Sequence, residues 1–148
     1  METVRAVRLR ALLDAPDAFA STYDDNVARP DEHWLTWLGP MATFLHESAD
    51  GAVLGMVAAW IDPESPDRCD LMAMWVDPAA RGTGAAAELL DAASGWGRAE
   101  GATIVEIEVY DSNVSAVRFY ERNGFVPTGA RRERDGEGRT AHSRRRPL

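Results

Sequence analysis

Residues Arg81 to Ala87, reading Arg-Gly-Thr-Gly-Ala-Ala-Ala, hold the densest chemical signal in the chain. An apolar run ending at Val76 precedes them, and an alanine- and leucine-rich pattern at helical spacing follows. A strand that turns through glycines into a helix aims several backbone N–H groups, and the positive helix end, at one spot. Such a spot suits an anion, a phosphate above all. Side chains at Gly82 and Gly84 would hold that anion away from the backbone. A nucleotide P-loop is excluded, because it needs a lysine after its second glycine and the chain has none. A dinucleotide fingerprint can be laid on Gly82 to Ala87, but its strand–helix–strand unit belongs near a domain's start, and the order of elements here is wrong. On this segment alone, a tight turn with no ligand stays open.

Other candidate groups lie on either side. Glu106 and Glu108 alternate with Val105, Ile107 and Val109, so both carboxylates point to one face of a strand. Asp70 opens the strand before the glycine corner. Asn113 stands where a helix begins and suits an N-cap. Tyr120 shares a helix side with Val117 and Gly124; its phenol is an uncharged donor at neutral pH, or its ring is simply core. Trp34, Trp37, Trp60 and Trp75 invite an aromatic cage for a cation, with core packing as the competing job.

The elements that must position these groups follow from periodicity and punctuation. Val4, Val7, Leu9, Ala11 and Leu12 give a helical stripe that stops near Pro16, and residues 17–29 read as an irregular helix or loop. Asp31 opens a short helix carrying Trp34, Trp37 and Leu38, ended by Gly39-Pro40. Thr43 to Glu47 and Val53 to Ile61 are strands around a turn at Ala49-Asp50-Gly51, with a bulge expected at Gly55. Leu71 to Val76 is a strand, Thr83 to Ala99 a helix weakened by Gly95 and Gly97, Thr103 to Tyr110 a strand, and Ser112 to Arg122 a helix. Phe125 to Arg132 and Arg139 to Arg145 form a closing hairpin around Asp135-Gly136. This order predicts an α+β fold with one parallel crossover at its centre.

At 148 residues the chain reads as one domain, 1–148. No apolar run approaches the roughly 18 residues of a membrane helix, and the N-terminus lacks a signal-peptide core, so a cytoplasmic setting is expected. The lone cysteine, Cys69, excludes an internal disulfide framework and reads as a small buried residue. Net charge is -8, and every basic residue is arginine. Seven arginines against three acids fall in Arg131 to Arg146, leaving an acidic body that disfavours nucleic acid and favours amines. The basic end reads as a solvated terminal hairpin.

Arg81-x-x-Gly84-x-Ala86 resembles the pyrophosphate motif of the GCN5-related N-acetyltransferase (GNAT) superfamily. Asn113-x-x-Ala116-x-x-x-Tyr120-x-x-x-Gly124-Phe125 is similar to that family's second cofactor segment. The likeness covers about residues 43–130, and Arg8 to Leu13 with Pro16 to Phe19 resembles the first helix of small bacterial members. It implies a mixed, mostly antiparallel sheet with a central parallel β-α-β crossover flanked by helices, here without the usual N-terminal strand. It divides the chain into a helical acceptor-side segment (1–40), a core with the acetyl-CoA site (43–130) and an Arg-rich terminal segment (131–148). The implied activity is acetyl transfer from acetyl-CoA to a primary amine of a small molecule or protein, by direct attack on the thioester and without metal. The alternative is a noncatalytic acyl-CoA-binding or regulatory module.

The resemblance also assigns residues. Backbone groups of Gly82, Thr83, Gly84, Ala85, Ala86 and Ala87, with Arg81 at the turn, would hold the pyrophosphate. Main-chain groups of Met74, Trp75 and Val76 would pair with the pantetheine arm where their strand splays from the next, and Asn113 would bond the arm near its thioester end. Tyr120 would face the sulfur as acid. Glu108 matches a catalytic carboxylate of the similar ribosomal-protein N-terminal acetyltransferases, with Asp70 the competing base. The early helices would line the acceptor site, with Trp34 or Trp37 on its wall. Sheet edges left open by the missing strand and the polar tail suit a homodimer.

Overall fold

The computed structural model describes residues 1–133 and 138–148, so the turn expected at Asp135-Gly136 lies outside the described residues. Three helices come first: α1 (Glu2–Asp14), α2 (Tyr23–Val27) and α3 (Asp31–Leu38). In the stretch expected to be irregular, Thr22 accepts from the Asp25 N–H and so starts α2. Strands β1 (Ala42–Glu47), β2 (Val53–Ile61) and β3 (Arg68–Val76) form a meander. Helix α4 (Ala85–Ala99) crosses to β4 (Ile104–Tyr110); α5 (Val114–Arg122), β5 (Val126–Glu133) and β6 (Thr140–Pro147) follow. The strand order is β1-β2-β3-β4-β6-β5. Among the described residues only β3 and β4 run parallel. This is the mixed, mostly antiparallel α+β arrangement with a central parallel crossover.

An apolar core covers each face of the sheet. Leu89, Leu90 and Ala93 of α4 and Tyr120 of α5 pack on Val57, Ala59, Cys69, Leu71, Val105 and Ile107. Val7 and Ala11 of α1 pack on Met56 and Trp75 across the other face. The expected bulge at Gly55 is present, since the β1 partners step from Gly55 to Val53. A Cβ at Gly55 would stand 3.1 Å from the Trp75 carbonyl oxygen.

Strand β3 carries a second irregularity that periodicity does not reveal. Cys69 and Leu71 face α4, but beyond them Met74 and Val76 do, while Ala73 and Trp75 face α1. An extra residue in β3, seen where the β2 register shifts between Met56 and Ala58, changes the parity. Ala73 sits there with φ of 55°, a backbone conformation that costs a side-chain-bearing residue about 1–2 kcal/mol.

The terminal segment corrects an expectation. Strand β6 is not a solvated flank; it is inserted between β4 and β5, and the sheet edges are β1 and β5. Arg144 is only 7% exposed and donates to Glu121 at 3.1 Å. Arg146 donates to the Ser94 hydroxyl and the Asn123 carbonyl, and lies over the Phe125 ring. Interior arginines are tolerable because the α5 end supplies carboxylate, carbonyl and ring partners.

Candidate active site

The β3/β4 ladder runs from Arg68↔Ile104 to Leu71↔Ile107 and stops, although β3 continues to Val76 and β4 to Tyr110. The two strands therefore part beyond Leu71, and a cavity of about 800 Å³ opens there. Met72 to Met74 line it from β3, Glu106 to Tyr110 from β4, Asn113 and Tyr120 from α5 and its cap, and Phe19 and Trp37 from the N-terminal segment. It thus reaches both faces of the sheet.

At one end of β3 lies the glycine corner. Asp77 accepts from the Ala79 N–H and starts a 3-10 turn over Pro78–Ala80. Gly82 and Gly84 hold φ of 79° and 100°, backbone that favours glycine. Gly84 caps α4 with no side-chain bond, so the first-turn N–H groups have no side-chain partner there. A Cβ added at Gly82 or Gly84 would meet nothing within 4 Å, and the corner is exposed. The Arg81 guanidinium donates to the Val76 carbonyl at 3.1 Å and pairs with Asp14 of α1, so it is already tied to the protein.

Several carboxylates face the cavity. Asp70 and Glu106 are direct partners across the parallel pair, and Glu108 lies one alternation further on. Burial raises the Asp70 pKa; hydrogen bonding and charge from Arg68, whose Nε stands 3.0 Å away, oppose the rise. The Ser143 hydroxyl of β6 donates to Glu106. Glu108 lies 3.6 Å from Arg132 Nε of β5, with its side chain 26% exposed. Tyr120 is 2% exposed and packs edge-on against Phe119 and Phe125, with ring centroids 5.1 and 5.2 Å away. Burial pushes its phenol well above the usual pKa, so it remains a donor at any ordinary pH.

Met74, Glu108, Asn113 and Tyr120, and the competing Asp70, are thus brought to one cavity. Asn113 also caps α5 by accepting from the Ala116 N–H at 3.2 Å, so the capping role and the cavity position coexist. Trp75 is not on the wall; it is buried under α1, with its indole N–H donated to Asp14 at 2.9 Å. The tryptophans form no common cage. Trp37 and Trp60 line the cavity, whereas Trp34 is 2% exposed core. Cys69 is buried, and desolvation raises its thiol to about 11, as suits an inert core residue. Among the described residues no three His, Cys, Asp or Glu side chains are grouped to hold a metal ion. Sequence reasoning missed Arg8, which lines the cavity from α1. The available signal was an arginine within the apolar spacing of Val4, Val7 and Ala11.

A family model described as the acetyltransferase (GNAT) family matches residues 9–125. A mycothiol acetyltransferase of Beutenbergia cavernae is 33% identical over 123 residues, covering 82% of this chain and 40% of that protein. One of Thermobispora bispora is 32% identical over 125 residues, covering 82% and 41%. The chain therefore spans about two fifths of the length of these curated relatives. The solved nourseothricin acetyltransferase has 26% identity and a TM-score of 0.66, over 73% of this chain and 65% of that one. A GNAT-family protein from Desulfovibrio desulfuricans superposes with a TM-score of 0.78 over 99% of this chain and 94% of its own, at 19% identity, a likeness of fold.

Proposed function

The chain belongs to the acetyltransferase (GNAT) family; we propose on that premise that it transfers an acetyl group from acetyl-CoA to a primary amine, which attacks the thioester directly. The observation that carries this reading is the parting of β3 and β4 above a cavity lined by Met74, Glu108, Asn113 and Tyr120. Acetyl-CoA supplies the activated acyl group and the thiolate leaving group. The chain supplies the rest. The first-turn N–H groups of α4, which no side chain caps, and the backbone of the corner from Gly82 to Ala87 fit the diphosphate, with the Thr83 N–H already donated to the Ala80 carbonyl; Arg81 steadies the corner through Asp14 and the Val76 carbonyl. No ladder pair from β4 reaches Met74 to Val76, which leaves their backbone for strand-like pairing with the pantetheine amides, the Val76 carbonyl being shared with Arg81. Asn113 orients the arm near the thioester.

An ammonium has no lone pair, so the acceptor must lose a proton. Glu108, the first carboxylate past the last ladder pair, takes it directly or through water; Asp70, bound to Arg68, is the second choice. Tyr120, kept protonated by burial, donates to the departing sulfur. Relatives named for mycothiol and nourseothricin favour a small-molecule acceptor. No described helix is long and apolar enough to cross a membrane, and bacterial relatives support a bacterial, cytoplasmic setting. Edges β1 and β5 offer surfaces for a homodimer.

The test is calorimetric titration with acetyl-CoA followed by thiol release against a panel of amines. Acetyl-CoA binding and amine-dependent release are expected. Tyr120→Phe should lower kcat about 100-fold while leaving acetyl-CoA affinity nearly unchanged. Binding without release from any amine would restore the noncatalytic module; no binding would remove both.

A further inference from the structure

A second cavity of about 60 Å³ adjoins the first, with Arg8, Ser21 and Trp37 lining both. Its remaining walls include Arg29, His33 and Trp34. Arg8 is 9% exposed. Its Nη2 donates to the Ser21 hydroxyl at 3.2 Å, and its guanidinium lies 4.2 Å from the Phe19 ring centroid. Among the described residues its Nη1, and the Trp34 indole nitrogen, are buried with no hydrogen-bond partner. Among them Arg8 also makes no ion pair, and the nearby charge is that of Arg29, itself in contact with His33. Burial, and then Arg29, push Arg8 down to about 10, which leaves it cationic at neutral pH. A buried guanidinium with open donors and no counter-charge is unfavourable unless something neutralises it. Among the described residues no carboxylate lines this pocket, and Asp25, which acts on Arg29, does not act on Arg8, although the chain as a whole is strongly acidic.

We propose that the acceptor is a small amine that also carries a carboxylate, and that Arg8, with Ser21 and Trp34 beside it, binds that carboxylate. The inference rests on the acetyl-transfer reading of the larger cavity. That cavity then has two poles. Glu106 and Glu108 face the acceptor's amine, and Arg8 faces its acid group. The planar fork of one guanidinium matches a carboxylate, and the small pocket fits that group better than a bulky anion. An acidic surface attracts the amine, whereas Arg8 selects among amines.

The test uses the full chain, acetyl-CoA and matched acceptor sets: amino acids, their amides, their decarboxylated amines, and phosphorylated amines of similar length. The carboxylated members are expected to show kcat/KM roughly 10- to 100-fold above their partners, chiefly through KM, the worth of one or two charge-assisted hydrogen bonds. Arg8→Gln should raise KM for carboxylated acceptors at least tenfold more than for decarboxylated ones, and Arg8→Lys, which keeps charge without the fork, should fall between. Equal efficiency across a set, preference for the phosphorylated member, or an equal loss on every acceptor in Arg8→Gln would overturn the inference. If acetyl-CoA binds but no acceptor turns over, the acetyl-transfer reading itself fails. Tryptophan fluorescence then decides the Arg8 site alone: saturable quenching by carboxylated members, lost in Arg8→Gln, upholds it, and no quenching overturns it.

Discussion

Asp70 shows how a single side chain joins charge, packing and pH. Burial raises its pKa despite the Arg68 partner, so the folded chain holds this proton more tightly than the unfolded chain does. Stability from the carboxyl is therefore full below the unfolded pKa, about 4, and is lost as pH rises through the raised folded value. Asp70→Asn cannot ionise and keeps an oxygen for Arg68. It is expected to melt about 1–4 °C above the parent at pH 7, with the gap closing toward pH 4. Melting curves across that range check it, and a gap of constant size would remove burial as the cause. At this scale the sequence spoke clearly wherever a period of two held: Glu106 and Glu108 share a face because β4 is regular. It was silent on Arg8, because an arginine in an apolar stripe looks like an interruption until the surrounding walls are known.

Elements were legible where local chemistry and tertiary context agreed. Both cofactor-segment helices begin and end close to where caps and glycines put them. Two elements escaped. The β3 bulge at Ala73 leaves no glycine or proline to announce it, yet it reverses which side chains face α4. Strand β6 was misjudged because arginine content reads as surface. Its burial depends on partners from α5 and α4, distant in sequence. Helix α4 gives a paired test. A Cβ at Gly97 would stand 2.8 Å from the Cys69 Cβ and 2.9 Å from its sulfur, whereas one at Gly95 meets nothing within 4 Å. Helix propensity favours alanine at both by up to about 1 kcal/mol, but overpacking costs about 1–3 kcal/mol. Gly95→Ala should therefore stabilise by up to about 1 kcal/mol, and Gly97→Ala should destabilise by about 1–2 kcal/mol, read by urea denaturation. If both shift alike, the α4–β3 approach is looser than the contact distance states.

Across the whole molecule, a polar cluster at the end of α1 ties the acceptor-side segment to the glycine corner. Asp14 accepts the Trp75 indole N–H and pairs with Arg81; Arg10 pairs with Asp77 and donates to the Val53 carbonyl at 2.9 Å. The helix that presents Arg8 to the cavity is thus fastened to the loop that would grip the diphosphate. Exposed ion pairs alone are weak, about 0–1 kcal/mol each, and Arg81 is half exposed. The indole bond is different, because Trp75 is 5% exposed and its N–H loses its partner if Asp14 goes. Asp14→Leu should cost about 1–3 kcal/mol, and Asp14→Asn, which keeps an acceptor for Trp75, less than about 1 kcal/mol. Asp14→Leu releases Arg81 from α1 and leaves it held at the Val76 carbonyl, whereas Asp14→Asn removes the charge but keeps an oxygen at the position that both the indole and Arg81 use. If the clamp sets the corner, Asp14→Leu should weaken acetyl-CoA binding by roughly 2- to 10-fold, about 0.4–1.4 kcal/mol, and Asp14→Asn by less than about 2-fold. Unchanged affinity in Asp14→Leu would mean that α1 and the corner are neighbours without being coupled.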